Sequence, residues 1–244
     1  MSKDDMVAEI AECLGVSRAR AKRVVGEFDR VFAKPFAERL ASVRLREILK
    51  RKNPYLYRAS AIESCTELVD RAYDDYVSAS VEGYFGKFFE AVAIIVSGGI
   101  KPAGGGEIDL QVMKGKRAYL YVIKSGPATF NKTSRAKAKE ELFAAEHKLE
   151  QDGYDVKKMF GYAYGRKVGS NWQGITILSS KEFWSKVSGD ADFYQKLLDA
   201  CAILSSLYSA DVEAPRARLL KEAGSEFCDD DKTDWPKILK LVSG

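Results

Sequence analysis

EIDLQVMKGKRAYLYVIKSG, residues 107–126, is the stretch whose reading decides the fold. Residues 108–112 alternate apolar and polar side chains. Lys114-Gly115-Lys116 reads as a turn, and residues 118–123 are rich in tyrosine and β-branched side chains. The pattern predicts two strands joined by a tight turn. Asp109 lies in the first strand and Lys124 ends the second, so adjacent strands bring the two to the same end of a sheet. Phosphodiester hydrolysis needs that pair. A carboxylate holds a hard divalent cation, usually Mg²⁺, against the scissile phosphate. An ammonium orients or activates the attacking water and offsets charge on phosphorus. The apolar run before Lys124 predicts a buried strand, at whose end a charge must meet a partner or water.

Working outward, the pattern upstream has the helical period. Val7, Ile10, Ala11 and Leu14 fall on one face, Gly15 breaks the run, and Ser17 caps a second helix bearing Ala21, Val24 and Val25. The pair resembles a helix-turn-helix. Helices are predicted over residues 35–50, 62–78 and 81–96, with a break at Asn53-Pro54. The last of these holds FGKFFEAVAIIV (85–96), in which Glu90 is a carboxylate on an otherwise apolar helix. Burial there is costly unless the group is paired or metal-bound. A glycine-rich loop (97–106) follows. It is no P-loop, since no Gly-Lys-Ser/Thr comes after it; it lets the chain turn closely before the Asp109 strand.

Downstream, a charged helix is predicted over 133–151, strands over 159–164 and 174–178, and helices over 181–187 and 192–208. The expectation is an α/β fold: a small mixed sheet flanked by helices over residues 59–244, preceded by a helical, basic region over residues 1–58.

Charge is uneven. Residues 16–58 carry thirteen basic and four acidic side chains, a net +9 in a chain whose total is +4, so the remainder carries −5. A one-sided basic stretch attracts polyanions by counterion release, which makes Arg18, Arg20 and Arg23 candidate DNA contacts. No apolar run approaches the ~20 residues of a membrane helix, and the first residues lack the apolar stretch of a secretory signal, so a cytoplasmic protein is expected. The four cysteines are far apart and form no CxxC pair, and His147 is the single histidine. Zinc fingers and disulfide scaffolds are disfavoured, and the cysteines read as reduced packing residues. Trp172 and Trp184 read as packing residues, and His147 as a surface one.

The ordered segments KNPYLYRA (52–59), FGKFFEAVA (85–93), IDLQ (108–111), YLYVIKSGPATFN (119–131), YAYGR (162–166) and FWSKVSGDADFY (183–194) resemble the PmeII-type type II restriction endonucleases of the PD-(D/E)XK nuclease superfamily. The resemblance implies a PD-(D/E)XK core and a Mg²⁺-dependent prokaryotic homodimer. Such an enzyme cuts both strands of duplex DNA at a short specific site and leaves 5′-phosphate and 3′-hydroxyl ends. It places the metal aspartate on Asp109, the catalytic lysine on Lys124 and a helix glutamate on Glu90. In the family's E-x-K form the second acid stands where this chain has Val122. Glu90 is therefore expected as the second metal carboxylate and the Ile123 carbonyl as a backbone ligand, with Glu140 and Glu107 as alternative acids. Ser125, Thr129, Asn131, Lys132 and Arg166 are expected at the DNA backbone. Two competing expectations remain: a non-catalytic DNA-binding regulator with a degenerate core, which Val122 favours, and a structure-specific repair nuclease.

Overall fold

The computed structural model describes residues 2–104, 106–126, 132–166, 169–207 and 213–244. The chain opens with α1 (Lys3–Leu14) and α2 (Arg18–Phe28), divided as expected at Gly15, whose φ of +63° suits a residue without a Cβ. The Ser17 hydroxyl accepts from the Arg20 N–H and caps α2. A π-helical turn (Asp29–Ala33) leads to α3 (Lys34–Ser42). The single helix expected over 35–50 is divided, because buried Val43 adopts an extended conformation before α4 (Leu45–Leu49). Then come α5 (Pro54–Ala59), capped by Asn53, and α6 (Cys65–Ser97). The two helices expected over 62–78 and 81–96 are thus one continuous helix of 33 residues. Glycines such as Gly83 cost a helix only about 1 kcal/mol each, and the packed faces to either side outweigh that.

β1 (Leu110–Lys114) and β2 (Arg117–Lys124) form the expected hairpin, with Leu110 opposite Tyr121 and Lys114 opposite Arg117. α7 (Lys132–Gln151) crosses over to β3 (Asp155–Tyr162), which pairs in parallel with β2. The short strand β4 (Asn171–Trp172) was not expected, and β5 (Ile175–Leu178) was. The sheet is mixed, in the order β1-β2-β3-β5-β4. Ala118, Leu120 and Val122 of β2 pack with Ile108, Phe160 and the α7 residues Ala138 and Leu142. Tyr121 of β2 meets Phe183 of α8 (Ser180–Ser188) instead. Trp184 of α8 meets Phe89 of α6 edge-on and packs at a tilt against Phe193 of α9 (Phe193–Leu204). Burial on two faces explains why β2 and β3 read as continuous apolar runs. Trp172 and Trp184 pack as expected: Trp184 is buried, and Trp172 lies against Phe160. His147 is exposed on α7.

The C-terminal part contains α10 (Glu213–Glu226), a small hairpin of β6 (Cys228–Asp229) and β7 (Lys232–Thr233), and α11 (Trp235–Ser243). Compact units form from the described residues of 1–31 with 85–207, and from those of 32–84 with 208–244. The expected boundary at 58/59 falls inside the second unit. Composition could not reveal that the units are discontinuous. In the first unit α1 packs back on α9, where Cys13 Sγ donates to the Lys196 carbonyl at 3.3 Å. In the second, Leu219, Ala223, Phe227 and Ile238 complete a core with Leu40, Leu45, Leu68 and Tyr73.

Cys65 and Cys228 are joined by a disulfide in that second unit, their Cα atoms 6.0 Å apart. This corrects the expectation of four reduced cysteines. A separation of 163 residues leaves no spacing signal; the pair meets because Cys65 N donates to Asp231 O and Thr233 N to Glu63 O. Cys13 and Cys201 are free thiols. No helix among the described residues is long and apolar enough to cross a membrane.

Candidate active site

Asp109 is the one buried charged residue among those described. It precedes β1, and its N–H donates to the Tyr121 carbonyl at 2.9 Å. Its carboxylate accepts the Ile123 N–H at 2.8 Å through Oδ2. Alternation along β2 puts the Ile123 carbonyl on the edge that carries that N–H, beside Asp109, where a backbone ligand was expected. On the other carboxylate oxygen, Oδ1, Asp109 accepts from Lys101 Nζ at 3.3 Å, and the same ammonium donates to Glu90 Oε2 of α6 at 2.9 Å. Two carboxylates, one on α6 and one just before β1, thus converge on one cation. Burial, and then the negative charge of Glu90, push the Asp109 carboxyl up to about 6, against the Ile123 N–H and the Lys101 and Lys124 charges. Burial works against the Lys101 ammonium, but Glu90 and Asp109 outweigh it and hold its pKa above the ordinary lysine value.

Lys124 ends β2 as expected, and its Nζ lies 3.3 Å from Glu107 Oε2. Lys137 of α7 approaches the other oxygen of Glu107 at 3.4 Å, and Glu141 of α7 accepts the Glu107 N–H. Burial raises the Glu107 carboxyl, yet the two lysines prevail and hold it below the usual glutamate range. The Glu141 carboxylate also lies against Gly106, where a Cβ would oblige that side chain to shift. β1 begins at Leu110, so strand alternation does not extend back to Glu107. This residue partners the lysine and is not drawn to the Glu90–Asp109 pair. Glu140 is exposed on α7, one position from the residue that faces inward. Val122 is fully buried in the apolar cluster beneath α7, so its position holds packing where a carboxylate would be costly.

Glu90 and Lys101 also line a cleft of about 520 Å³, whose wall includes Arg23, Glu27, Arg30 and Lys87. Arg23, expected as a DNA contact, thus borders the same cleft as Glu90 and Lys101. Arg20 is exposed, with its guanidinium beside Gly98, and Arg18 is exposed and 3.9 Å from Asp4. Ser125 is half-buried. Its carbonyl accepts the Tyr164 N–H, and its hydroxyl lies close enough to Gly86 of α6 that a Cβ there would stand at 3.1 Å. Lys132 and Arg166 are exposed. Thr129 and Asn131 lie outside the described residues. Lys101, Lys137 and Glu141 were missed. Lys101 sits in a glycine-rich loop that reads only as a turn, and the α7 pair is an ordinary i,i+4 ion pair in sequence.

Among the described residues no three His, Cys, Asp or Glu groups gather around one point. Two carboxylates sharing a cation, with a carbonyl beside them, still form a donor set of hard oxygens. Mg²⁺ accepts such a set, because it keeps several of its waters.

No curated protein matches the chain. The family model for the type II restriction endonuclease EcoO109I matches residues 20–227, a span that holds both charge clusters and the basic wall of the cleft. With so much of the sequence matched, the chain belongs to the EcoO109I family of type II restriction endonucleases and is a site-specific DNA endonuclease.

Proposed function

We propose that this endonuclease is a Mg²⁺-dependent enzyme of the PD-(D/E)XK superfamily. It acts as a homodimer in a prokaryotic cytoplasm, cuts both strands of duplex DNA and leaves 5′-phosphate and 3′-hydroxyl ends. The PmeII-type resemblance of the Lys-Ser-Gly-Pro block is the narrower form of the same reading. One observation carries it: Glu90 and Asp109 converge on a single cation at the sheet end that bears Lys124.

Glu90, Asp109 and the Ile123 carbonyl would hold the divalent ion. When bound, it supplies Lewis acidity against the scissile phosphate and lowers the pKa of a coordinated water. The Ile123 N–H fixes the Asp109 carboxylate in one orientation. Lys124 faces the phosphate, orients the attacking water and offsets the charge that builds on the non-bridging oxygens. Glu107 positions the Lys124 ammonium, and Lys137 shares that carboxylate, so Glu107 does not neutralise Lys124 completely. Arg23 and Lys87 in the cleft wall attract the backbone without reading bases.

Incubation of duplex plasmid with the full chain and Mg²⁺ tests this reading. Discrete fragments that ligate without prior phosphorylation are expected. A gel shift without cleavage would support the regulator, for which buried Val122 speaks. Cutting governed by junctions or flaps and not by sequence would indicate a repair enzyme.

A further inference from the structure

Lys101 stands between the two carboxylates that would hold the metal. The backbone around it is fixed. Ile100 exchanges two hydrogen bonds with Gln111 of β1, at 2.9 and 2.8 Å. A Cβ on Gly99 would lie 2.5 Å from the Gln111 carbonyl and 2.6 Å from Leu110 Cδ1, so only glycine lets the loop approach β1 this closely. The Lys101 Cα is thereby held beside Asp109. Its head is not held in the same way. The side chain is 45% exposed, has a flexible four-carbon stem and borders the cleft wall that includes Arg23, Arg30 and Lys87.

We propose that Lys101 is a removable internal counterion: its ammonium joins Glu90 to Asp109 in the metal-free enzyme, and a divalent cation must displace it in order to bind. This rests on the reading of Glu90 and Asp109 as metal ligands. Two carboxylates this close repel each other without a cation between them. The ammonium removes that repulsion with one positive charge and two hydrogen bonds. A divalent ion brings twice the charge and coordinates both carboxylates while keeping its waters, so it prevails once its concentration is high enough. Occupation by Lys101 lowers the apparent metal affinity by the fraction of molecules in which the ammonium is seated. The displaced head stays tethered at the cleft, where a DNA phosphate can take it up. Metal loading is thus restrained until both ion and DNA are present.

The test is Mn²⁺ binding to the full-length, DNA-free protein, followed by electron paramagnetic resonance of the free ion. Lys101→Met should bind Mn²⁺ about fivefold more tightly than wild type, or better. Lys101→Arg, which keeps the cation, should stay within about twofold. Arg30→Met removes the same charge from the same cleft, but Arg30 is seated on Glu27 at 2.5 Å. Its effect should also stay within about twofold, because solvent screens charges not in contact with the site. Equal affinity in Lys101→Met and wild type overturns the proposal, as does equal tightening by Arg30→Met. Asp109→Asn separates the two levels of inference. If it loses Mn²⁺ while Lys101→Met behaves as wild type, the counterion role alone fails. If it binds Mn²⁺ as wild type does, the metal site itself is misplaced and Lys101 has no such role. Thermal melting supplies a second readout: Ca²⁺ should raise the melting temperature of Lys101→Met more than that of wild type, and an equal rise overturns the proposal.

Discussion

At the scale of single residues, Asp109 gives the most direct pH prediction. Its carboxyl sits at about 6 in the folded protein against an ordinary value of 3.8, chiefly through burial. Between those values the folded protein binds a proton that the unfolded chain does not. The contribution of Asp109 to the stability of the metal-free enzyme, about 3 kcal/mol in full, should therefore be lost as pH rises from about 3 to about 7, and be flat above that. Carboxyls held low, Glu107 among them, act in the opposite direction, so the decline should be read in the difference between the urea-unfolding free energies of wild type and Asp109→Asn. Metal binding runs the opposite way, because the ion needs the carboxylate. Mn²⁺ affinity should rise as pH increases from 5 to 7, and equal affinity at the two ends would remove Asp109 from the ligand set. The choice of second acid is tested by substitution. Glu90→Gln should lose Mg²⁺-dependent cleavage by about two orders of magnitude or more, whereas exposed Glu140→Gln keeps most of it. The reverse result would mean that the acid comes from α7.

Among elements, the hairpin was the most legible part of the sequence, and it bears the proposed catalytic pair. Period 2, a Lys-Gly-Lys turn and β-branched residues placed Asp109 and Lys124 at one sheet end. α7, β3 and β5 were readable for the same reason: their patterns are local. What escaped was set by contacts distant in sequence. α6 runs through Gly83 as one helix, β4 exists only by pairing with β5, and Lys101 acquires its place only because Ile100 bridges to Gln111. That Glu141 and not Glu140 faces Glu107 was not legible, since helical phase can be fixed only once α7 is seated on the sheet. One glycine shows how tightly an element is held. In β3, a Cβ on Gly161 would lie 2.3 Å from the Phe183 ring of α8. Gly161→Ala should therefore destabilise the protein by about 1–3 kcal/mol through overpacking. A chemical-denaturation midpoint equal to wild type would show that α8 can move aside at no cost.

For the whole molecule, the two discontinuous units differ in what holds them. The unit formed from 32–84 and 208–244 has its own apolar core and a disulfide that closes a loop of 163 residues. Replacing Cys65 and Cys228 by serine should cost that unit about 2–5 kcal/mol, which denaturant unfolding with and without reductant measures. The other unit contains the sheet that bears Asp109 and Lys124, together with α2, whose exposed face carries Arg18, Arg20, Lys22 and Arg23. α2 can present this face because its apolar residues Ala21, Val24, Val25 and Phe28 are all buried. The face is weakly balanced: Asp4 stands 3.9 Å from Arg18 in a solvent-exposed pair worth little, and Glu27, beside Arg23 in the cleft wall, is taken up by Arg30 at 2.5 Å. Its positive charge is thus open to a polyanion, and Arg23 reaches the cleft that leads to Glu90. If α2 tracks the phosphate backbone, reversing Arg20 and Arg23 to glutamate should weaken cognate and random duplexes alike. The slope of log affinity against log salt should also become shallower by roughly 0.9 for each phosphate that is no longer neutralised. Filter binding of both duplexes over a salt series gives the two quantities together. Weakening confined to the cognate duplex would move these arginines from phosphates to base edges. An unchanged slope and affinity would leave α2 as a packing element whose charge serves something other than DNA.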